Sequence, residues 1–286
     1  MHYPNLPALI ADRHRTLAKG PIGLILVEDM VEVASTIAHH QAAGFATLIL
    51  FCAADVELPA LPDGVHRVDF DVMIEDALPQ IVNSVSQAAP GLWLYYGYNA
   101  EYLFFPFCEH RSLPELISFA MEERRDTIPC TVVDLYAADL GAAPDGVSRE
   151  DAYLDGAGYY ALARHDATGQ ALDRQLDMYG GLRWRFEEHV PYERRRIDRV
   201  PLFRAAPGLE MDSNRLFNLP EYNTFSCPWH HSPTAAVCSF RTAKALRRNP
   251  GSRQAIDSFH WANSQRFSWQ SQQLLDMGMI EPGQWF

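Results

Sequence analysis

Lysine is nearly missing from this chain. Lys19 and Lys244 are the only lysines among 24 basic residues, so the positive charge is almost all guanidinium. That bias carries no functional reading by itself. Cysteine is sparse too. Cys52, Cys108, Cys130, Cys227 and Cys238 are scattered, odd in number and free of any C-x-x-C pair. Such usage excludes a disulfide framework and fits reduced thiols in a cytosolic protein. No apolar run approaches the roughly 18–20 residues that span a bilayer. The opening residues, MHYPNLPALIADRHR, lack the cationic start and apolar middle of a signal peptide. A cytoplasmic protein with no transmembrane segment is expected. Several catalytic signatures are missing: G-x-G-x-x-G after the first strand, G-x-x-x-x-G-K-[ST], G-x-S-x-G and H-E-x-x-H. Their absence argues against a dehydrogenase, a P-loop NTPase, an α/β-hydrolase and the common zinc proteases. An excess of positive charge is also lacking. The formal balance is −12, which disfavours nucleic acid as a partner. It still allows a small phosphorylated ligand, which needs only a local basic pocket.

What is present is an ordinary globular composition, 48% apolar and 21% charged over 286 residues. The first half alternates strand and helix. Residues 23–27 (GLILV) and 46–51 (ATLILF) are short apolar runs of buried-strand type. Between them Met30, Val33, Ala34, Ile37 and Ala38 fall at helical spacing, with Gly44 as the stop. Residues 65–70 form a weaker strand, 74–85 a helix, and 92–96 a further strand. Ser112 and Glu115 make a capping box ahead of Leu113, Leu116, Ile117, Ala120 and Met121 on one helical face. Residues 130–135 (CTVVDL) close the series. This alternation predicts an α/β domain with a mostly parallel sheet of Rossmann type flanked by helices. Ligands of such sheets bind at the carboxyl ends of the strands. After about Ala137 the pattern breaks. Residues 151–164, 180–188 and 199–204 read as irregular extensions, and 254–277 as helix broken near its middle. The expected division is a core over residues 20–140 and, over 141–286, an extension packed on it with a C-terminal helical segment.

The most informative stretch is residues 92–107, LWLYYGYNAEYLFFPF. A hydrophobic strand enters the turn Tyr98-Asn99-Ala100-Glu101, an aromatic strand follows, and SLPEL opens a helix. Taken with other segments, this layout resembles the bacterial family 2-like glycosyltransferases of GT-A fold. In that family a strand is followed by "R-N-E" and a helix with "H-H-x-x-x-G". Here Leu24 to Val27, Glu28-Asp29 and His39-His40 with Gly44 occupy those places. Arg199-Val200-Pro201-Leu202-Phe203-Arg204 with Pro207-Gly208 is similar to the family's "K-V-P-L-V-R-x-x-P-G". Val237 to Arg241 (VCSFR) stands where such proteins have an apolar strand with "H-F-K". Most of the chain is covered. The departures fall on the chemistry. The family's Asn-Glu is Glu28-Asp29, its metal-holding Asp-x-Asp is Asn99-Ala100-Glu101, and its late His is Ser239. The resemblance implies transfer of a sugar from a nucleotide sugar to a glycan or polysaccharide acceptor. The loss of the paired aspartates opens the alternative of a non-catalytic binding protein.

Glycosyl transfer needs the leaving diphosphate neutralised, a base for the acceptor hydroxyl, and a held sugar. Asn99 and Glu101 are the candidate ligands of a weakly held Mn²⁺ or Mg²⁺, one carboxylate and one amide oxygen. The plainer alternative is a turn with Asn99 in a left-handed conformation and Glu101 solvated. Val27, Glu28, Asp29 and Asp55 lie at strand ends where a nucleotide would be met, although acids there also complement a helix dipole. Gly180-Gly181-Leu182-Arg183-Trp184-Arg185-Phe186-Glu187-Glu188 is the candidate acceptor or diphosphate segment. Arg183 and Arg185 suit phosphate, Trp184 suits a sugar face, and Glu187 or Glu188 suits the base. From Arg183 to Arg204 seven Arg stand against four acids, a composition that an Arg–Glu surface network would also have. His230 and His231 are candidates for the acceptor side. With Cys227 and Cys238 they also raise a zinc cluster or a metal-dependent hydrolase, at atypical ligand spacing. His39 and His40 read as helix residues, buried and hydrogen-bonded rather than ligating.

Overall fold

The computed structural model describes residues 1–225 and 232–285. Its strands are β1 (His2–Tyr3), β2 (Ile22–Leu26), β3 (Thr47–Cys52), β4 (Val65–Asp69), β5 (Trp93–Tyr98), β6 (Glu101–Phe104), β7 (Thr127–Asp134), β8 (Tyr136–Ala137), β9 (Ala152–Asp155), β10 (Tyr160–His165), β11 (Ala171–Tyr179), β12 (Asp198–Arg204), β13 (Ala235–Ser239) and β14 (Ser264–Arg266). Its α-helices are α1 (Leu6–Ala11), α2 (Arg13–Thr16), α3 (Val33–Ala43), α4 (Ala77–Ala88), α5 (Leu113–Glu122), α6 (Gly181–Arg185), α7 (Arg241–Arg248), α8 (Pro250–Ala255) and α9 (Ser271–Asp276). Among the described residues no helix is long and apolar enough to cross a membrane.

The protein is α/β, built on one large mixed sheet of mostly parallel strands. Nine strands lie in the order β1-β4-β3-β2-β5-β12-β7-β13-β6. Only β12 and β6 run against the rest. The strand order reverses between β2 and β5, the place where open α/β sheets hold ligands. Strands β2 and β3 are buried along their whole length, as continuous apolar runs covered on both faces must be. Alternation then sorts their side chains. Leu24 and Leu26 join the core under α1 and α4, while Ile25 packs with Val33 and Ile37 of α3 and Leu116 of α5. Helix α5 starts with the expected capping box, Ser112 N–H donating to Glu115 Oε2 at 2.7 Å. Gly44, at φ 102°, ends α3.

Two expectations need correction. Residues 20–140 do not complete the sheet, because β12 and β13 are inserted into it from the second half. Residues 199–204 look irregular because Arg199, Pro201 and Arg204 interrupt the apolar run. Pro201 falls within a register shift between Arg199 and Leu202, where a missing N–H disturbs the ladder least. The tail is not one broken helix. Between α8 and α9 the chain forms β14, paired antiparallel with β9. There Ser258 Oγ accepts from His260 N–H and Ser264 Oγ from Trp261 N–H, side-chain bonds that compete with helix.

Candidate functional site

Because β12 and β6 are reversed, their first residues share an edge with the last residues of β2, β5, β7 and β13. The turn between β5 and β6 sits on that edge. Ala100, not Asn99, takes its left-handed position, at φ 61°. Asn99 is fully buried and spent as a clamp. Its Oδ1 accepts from Glu28 N–H at 2.9 Å, and its Nδ2 donates to Asp29 Oδ1 at 2.7 Å and Val31 O at 2.9 Å. Glu101 is fully buried as well, not solvated. Arg199 grips it with two bonds, of 2.7 and 3.1 Å, while Ser239 Oγ and Tyr98 N–H each donate at 3.0 Å. Burial alone would raise the Glu101 pKa, but Arg199 outweighs it and holds the carboxyl at about 2. Asn99 and Glu101 therefore do not fit a divalent cation in this arrangement. Their oxygens already face donors, and a guanidinium occupies the carboxylate's open side. Among the described residues no three His, Cys, Asp or Glu side chains group as a metal ion would require.

A cavity of about 530 Å³ opens beside this turn. Nine Arg or Lys side chains line it against three Asp or Glu, a local reversal of the chain's net charge. Helix α7 supplies one wall. Arg241, Lys244 and Arg248 recur at helical spacing and so share a face. Arg241 holds Glu28 with bonds of 2.8 and 2.6 Å and lies 3.6 Å over the Tyr98 ring. Lys244 and Arg248 both reach Asp29, at 2.9 and 2.6 Å. Burial would raise both acids' pKa values, yet these cations draw both down. Lys244 itself is driven down by burial, which Asp29 only partly offsets.

The glycine pair of residues 180–181 brings α6 against the end of β7. A Cβ on Gly180 would lie 2.2 Å from the Tyr159 ring, and one on Gly181, at φ 64°, 2.9 Å from Asp134 Oδ2. Arg183 thereby enters the cavity wall. Its Nε donates to Thr242 Oγ1 at 3.0 Å and lies 3.4 Å from Asp134, and Thr242 donates to Asp134 at 2.8 Å. Burial dominates this pair, pushing the Asp134 pKa up and the Arg183 pKa down.

The rest of the segment turns away. Arg185 donates to Asp155 and to Phe259 O, among the rings of Tyr136, Phe186 and Trp261. Trp184 is 40% exposed and packs on Gly158. Glu187 and Glu188 are exposed, at 58% and 63%, with Arg195 and His189 as neighbours. None of these four lines the cavity. Neither Glu187 nor Glu188 stands where the expected base would: each is a solvated surface acid. Val27 is buried in the strand-end ladder, donating to Phe51 O, and Asp55 is exposed and outside the cavity lining. His230, His231 and Cys227 lie outside the described residues, so the acceptor-side and zinc expectations find no geometry there. His39 and His40 are tied by one bond each, to Leu103 O and Thr36 O.

Of the expected site residues, the fold brings together Glu28, Asp29, Asn99, Glu101 and Arg183. Arg199, Arg215, Arg241, Lys244 and Arg248 were missed. The spacing within α7 was one available signal, and the places of Arg199 and Arg241 in the segments of the resemblance were another. Arg199 and Arg241 stand at or next to the start of elements whose neighbours are far away in sequence. Scans against protein-family models and against curated proteins match nothing in this chain.

Proposed function

We propose that the cavity is the donor site of a nucleotide-sugar-dependent glycosyltransferase of GT-A-like fold, acting in the cytoplasm on a glycan or polysaccharide precursor. The observation that carries this reading is the cationic cavity at the carboxyl edge, beside the reversal of strand order between β2 and β5. A diphosphate leaving group needs positive charge held in place, and Arg183, Arg199, Arg241 and Lys244 are held by buried or half-buried partners. Glu28, paired with Arg241, is available to the nucleoside or the sugar. Calorimetric titration with a panel of nucleoside diphosphates and nucleotide sugars tests the reading. At least one should bind, and turnover should follow with a suitable glycan. If none binds at millimolar concentration, the donor-site reading falls.

A second reading, a binding protein that no longer transfers sugar, draws on a specific feature. Glu28 and Asp198 are engaged by arginines, and the third lining acid, Glu193, is exposed. A deeply placed free base is therefore not on offer among the described residues. Tight binding of a nucleotide sugar without hydrolysis or transfer across a broad acceptor panel would favour this second reading.

A further inference from the structure

We propose that the cavity binds a diphosphate without a divalent cation, with Arg215 and Arg241 as the pair of guanidinium groups that grips it. The identity of the ligand as a nucleoside diphosphate rests on the donor-site reading above. The anion-binding role of Arg215 does not.

Three observations converge. The turn that the resemblance assigns to a metal is closed. Asn99 is spent on the Glu28–Val31 loop, and Glu101 is sealed by Arg199 and Ser239. Positive charge near the leaving group must therefore come from side chains.

Among the described residues, Arg215 is a cation of the inner cavity wall with no counter-charge. Apart from Arg194 at the exposed rim, every other Arg or Lys in the lining lies within ion-pair distance of a carboxylate. Among the described residues the Arg215 side chain makes no hydrogen bond or ion pair. Its one contact of this kind is with the Tyr98 ring, 6.0 Å away. Arg241 lies against the same ring. A guanidinium left without an acceptor is poised for an oxyanion, and its planar fork matches phosphate geometry.

Arg215 is also held in place at a cost to its backbone. Its φ is 64°, a left-handed conformation that a side chain of this size rarely takes. The surrounding loop enforces it. Asp212 accepts from Arg215 N–H through its carbonyl and from Leu216 N–H through Oδ1. Asn83 of α4 clamps Met211 through both its backbone groups, at 3.0 and 2.8 Å. Met211 bridges to Phe217, closing the loop. The fold thus fixes an unpaired cation where a flexible one would serve solubility equally well.

The test is calorimetric titration of the whole protein with inorganic pyrophosphate and with orthophosphate, first in EDTA and then in Mn²⁺. Pyrophosphate should bind in EDTA, more tightly than orthophosphate, and Mn²⁺ should not be needed. Arg215→Ala should weaken pyrophosphate by about ten-fold or more, the scale of a lost charge-assisted bond. Arg215→Lys should fall between, keeping the charge but losing the fork. Arg13→Ala, exposed on α2 and outside the cavity, should bind as the parent does. Thermal melts would show whether Arg215→Ala is folded; if it is not, Arg215→Lys carries the comparison. Binding that requires Mn²⁺, or pyrophosphate affinity unchanged in the folded Arg215 variants, overturns the proposal. If a nucleoside diphosphate binds while Arg215 proves irrelevant, this proposal alone falls. If pyrophosphate binds through Arg215 but no nucleoside diphosphate does, the donor-site reading alone falls.

Discussion

Arg195 and Arg199 are near neighbours in the chain, yet they belong to opposite regions of the molecule. Arg199 is the second residue of β12, is 3% exposed, and grips a fully buried Glu101. Arg195 follows a short turn on the surface and pairs with Glu187, itself mostly exposed. The bond lengths hardly differ, 2.7 against 3.0 Å. What differs is water. In the buried region each charge depends on its partner, because water cannot replace that partner. In the outer region water can replace either one. A pair's distance therefore says little about its worth until its burial is known.

The largest test of that contrast is to remove one partner from each pair. Arg199→Ala should destabilise the protein by about 3–5 kcal/mol, because Glu101 is left charged and buried. Arg195→Ala should cost about 0–1 kcal/mol. Urea denaturation of both variants measures the difference. Replacing both members, as Glu101→Gln with Arg199→Met, should recover part of the loss. Equal losses in the two single variants would break the contrast.

Acid should expose the same asymmetry. His40 is buried neutral. Burial first, then His39, lowers its pKa from 6.5 to about 3. The unfolded chain takes up that proton as pH falls through 6.5, while the folded protein refuses it until about 3. Stability from this group is complete above 6.5 and drains as pH falls towards 3. Glu101 acts in the same direction over a lower window. With a folded value of about 2 against 4.5, its contribution is complete above 4.5 and lost on the way down to 2. Each group should take up to about 1.4 kcal/mol per pH unit within its window. Denaturation across pH 7 to 3 should show a decline that steepens below 4.5. Glu101→Gln should be less stable at neutral pH but lose the steepening. A flat profile from pH 7 to 4 would contradict the His40 assignment, and a decline that does not steepen below 4.5 would contradict that of Glu101.

A smaller effect probes how α6 crosses between the regions. Gly181→Ala puts a Cβ at 2.9 Å from Asp134 Oδ2, on a backbone at φ 64°. The conformational cost alone is about 1–2 kcal/mol. Any added loss reports disturbance of the Asp134–Arg183–Thr242 cluster. A neutral result would mean that the approach of α6 to β7 is looser than the geometry implies.

Legibility in the sequence divides along similar lines. The parallel strands β2, β3 and β5 were readable because burial on both faces leaves a continuous apolar run. The capping box at Ser112 was readable because both partners are local. Strand β12 was not, since its charged and proline residues break the run and its partners lie about 70–110 residues back on β7 and β5. The site was half readable. Glu28, Asp29, Asn99 and Glu101 follow strand ends, and strand ends can be located. That Glu101 would be met by Arg199, or Glu28 by Arg241, depends on which strand is inserted where. Composition within residues 183–204 could not tell Arg183, which enters the cavity wall, from Arg185, which leaves it.

The smallest expected effect concerns the outer region itself. Glu187→Gln and Glu188→Gln should each change stability by less than about 0.5 kcal/mol, as surface substitutions away from special features do. Neither glutamate lines the cavity. Nucleoside diphosphate affinity should therefore match the parent protein, and so should any transfer rate. The reasoning is geometric. A general base must reach the hydroxyl it deprotonates directly or through one water. A side chain more than half exposed and turned towards Arg195 does not meet that condition here. Calorimetry and a transfer assay on both variants would decide the matter. Abolished transfer with binding intact in either variant would show that this segment turns inward when the acceptor arrives. The division between a buried, working region and a solvated, passive one would then have to be redrawn through residues 187–195.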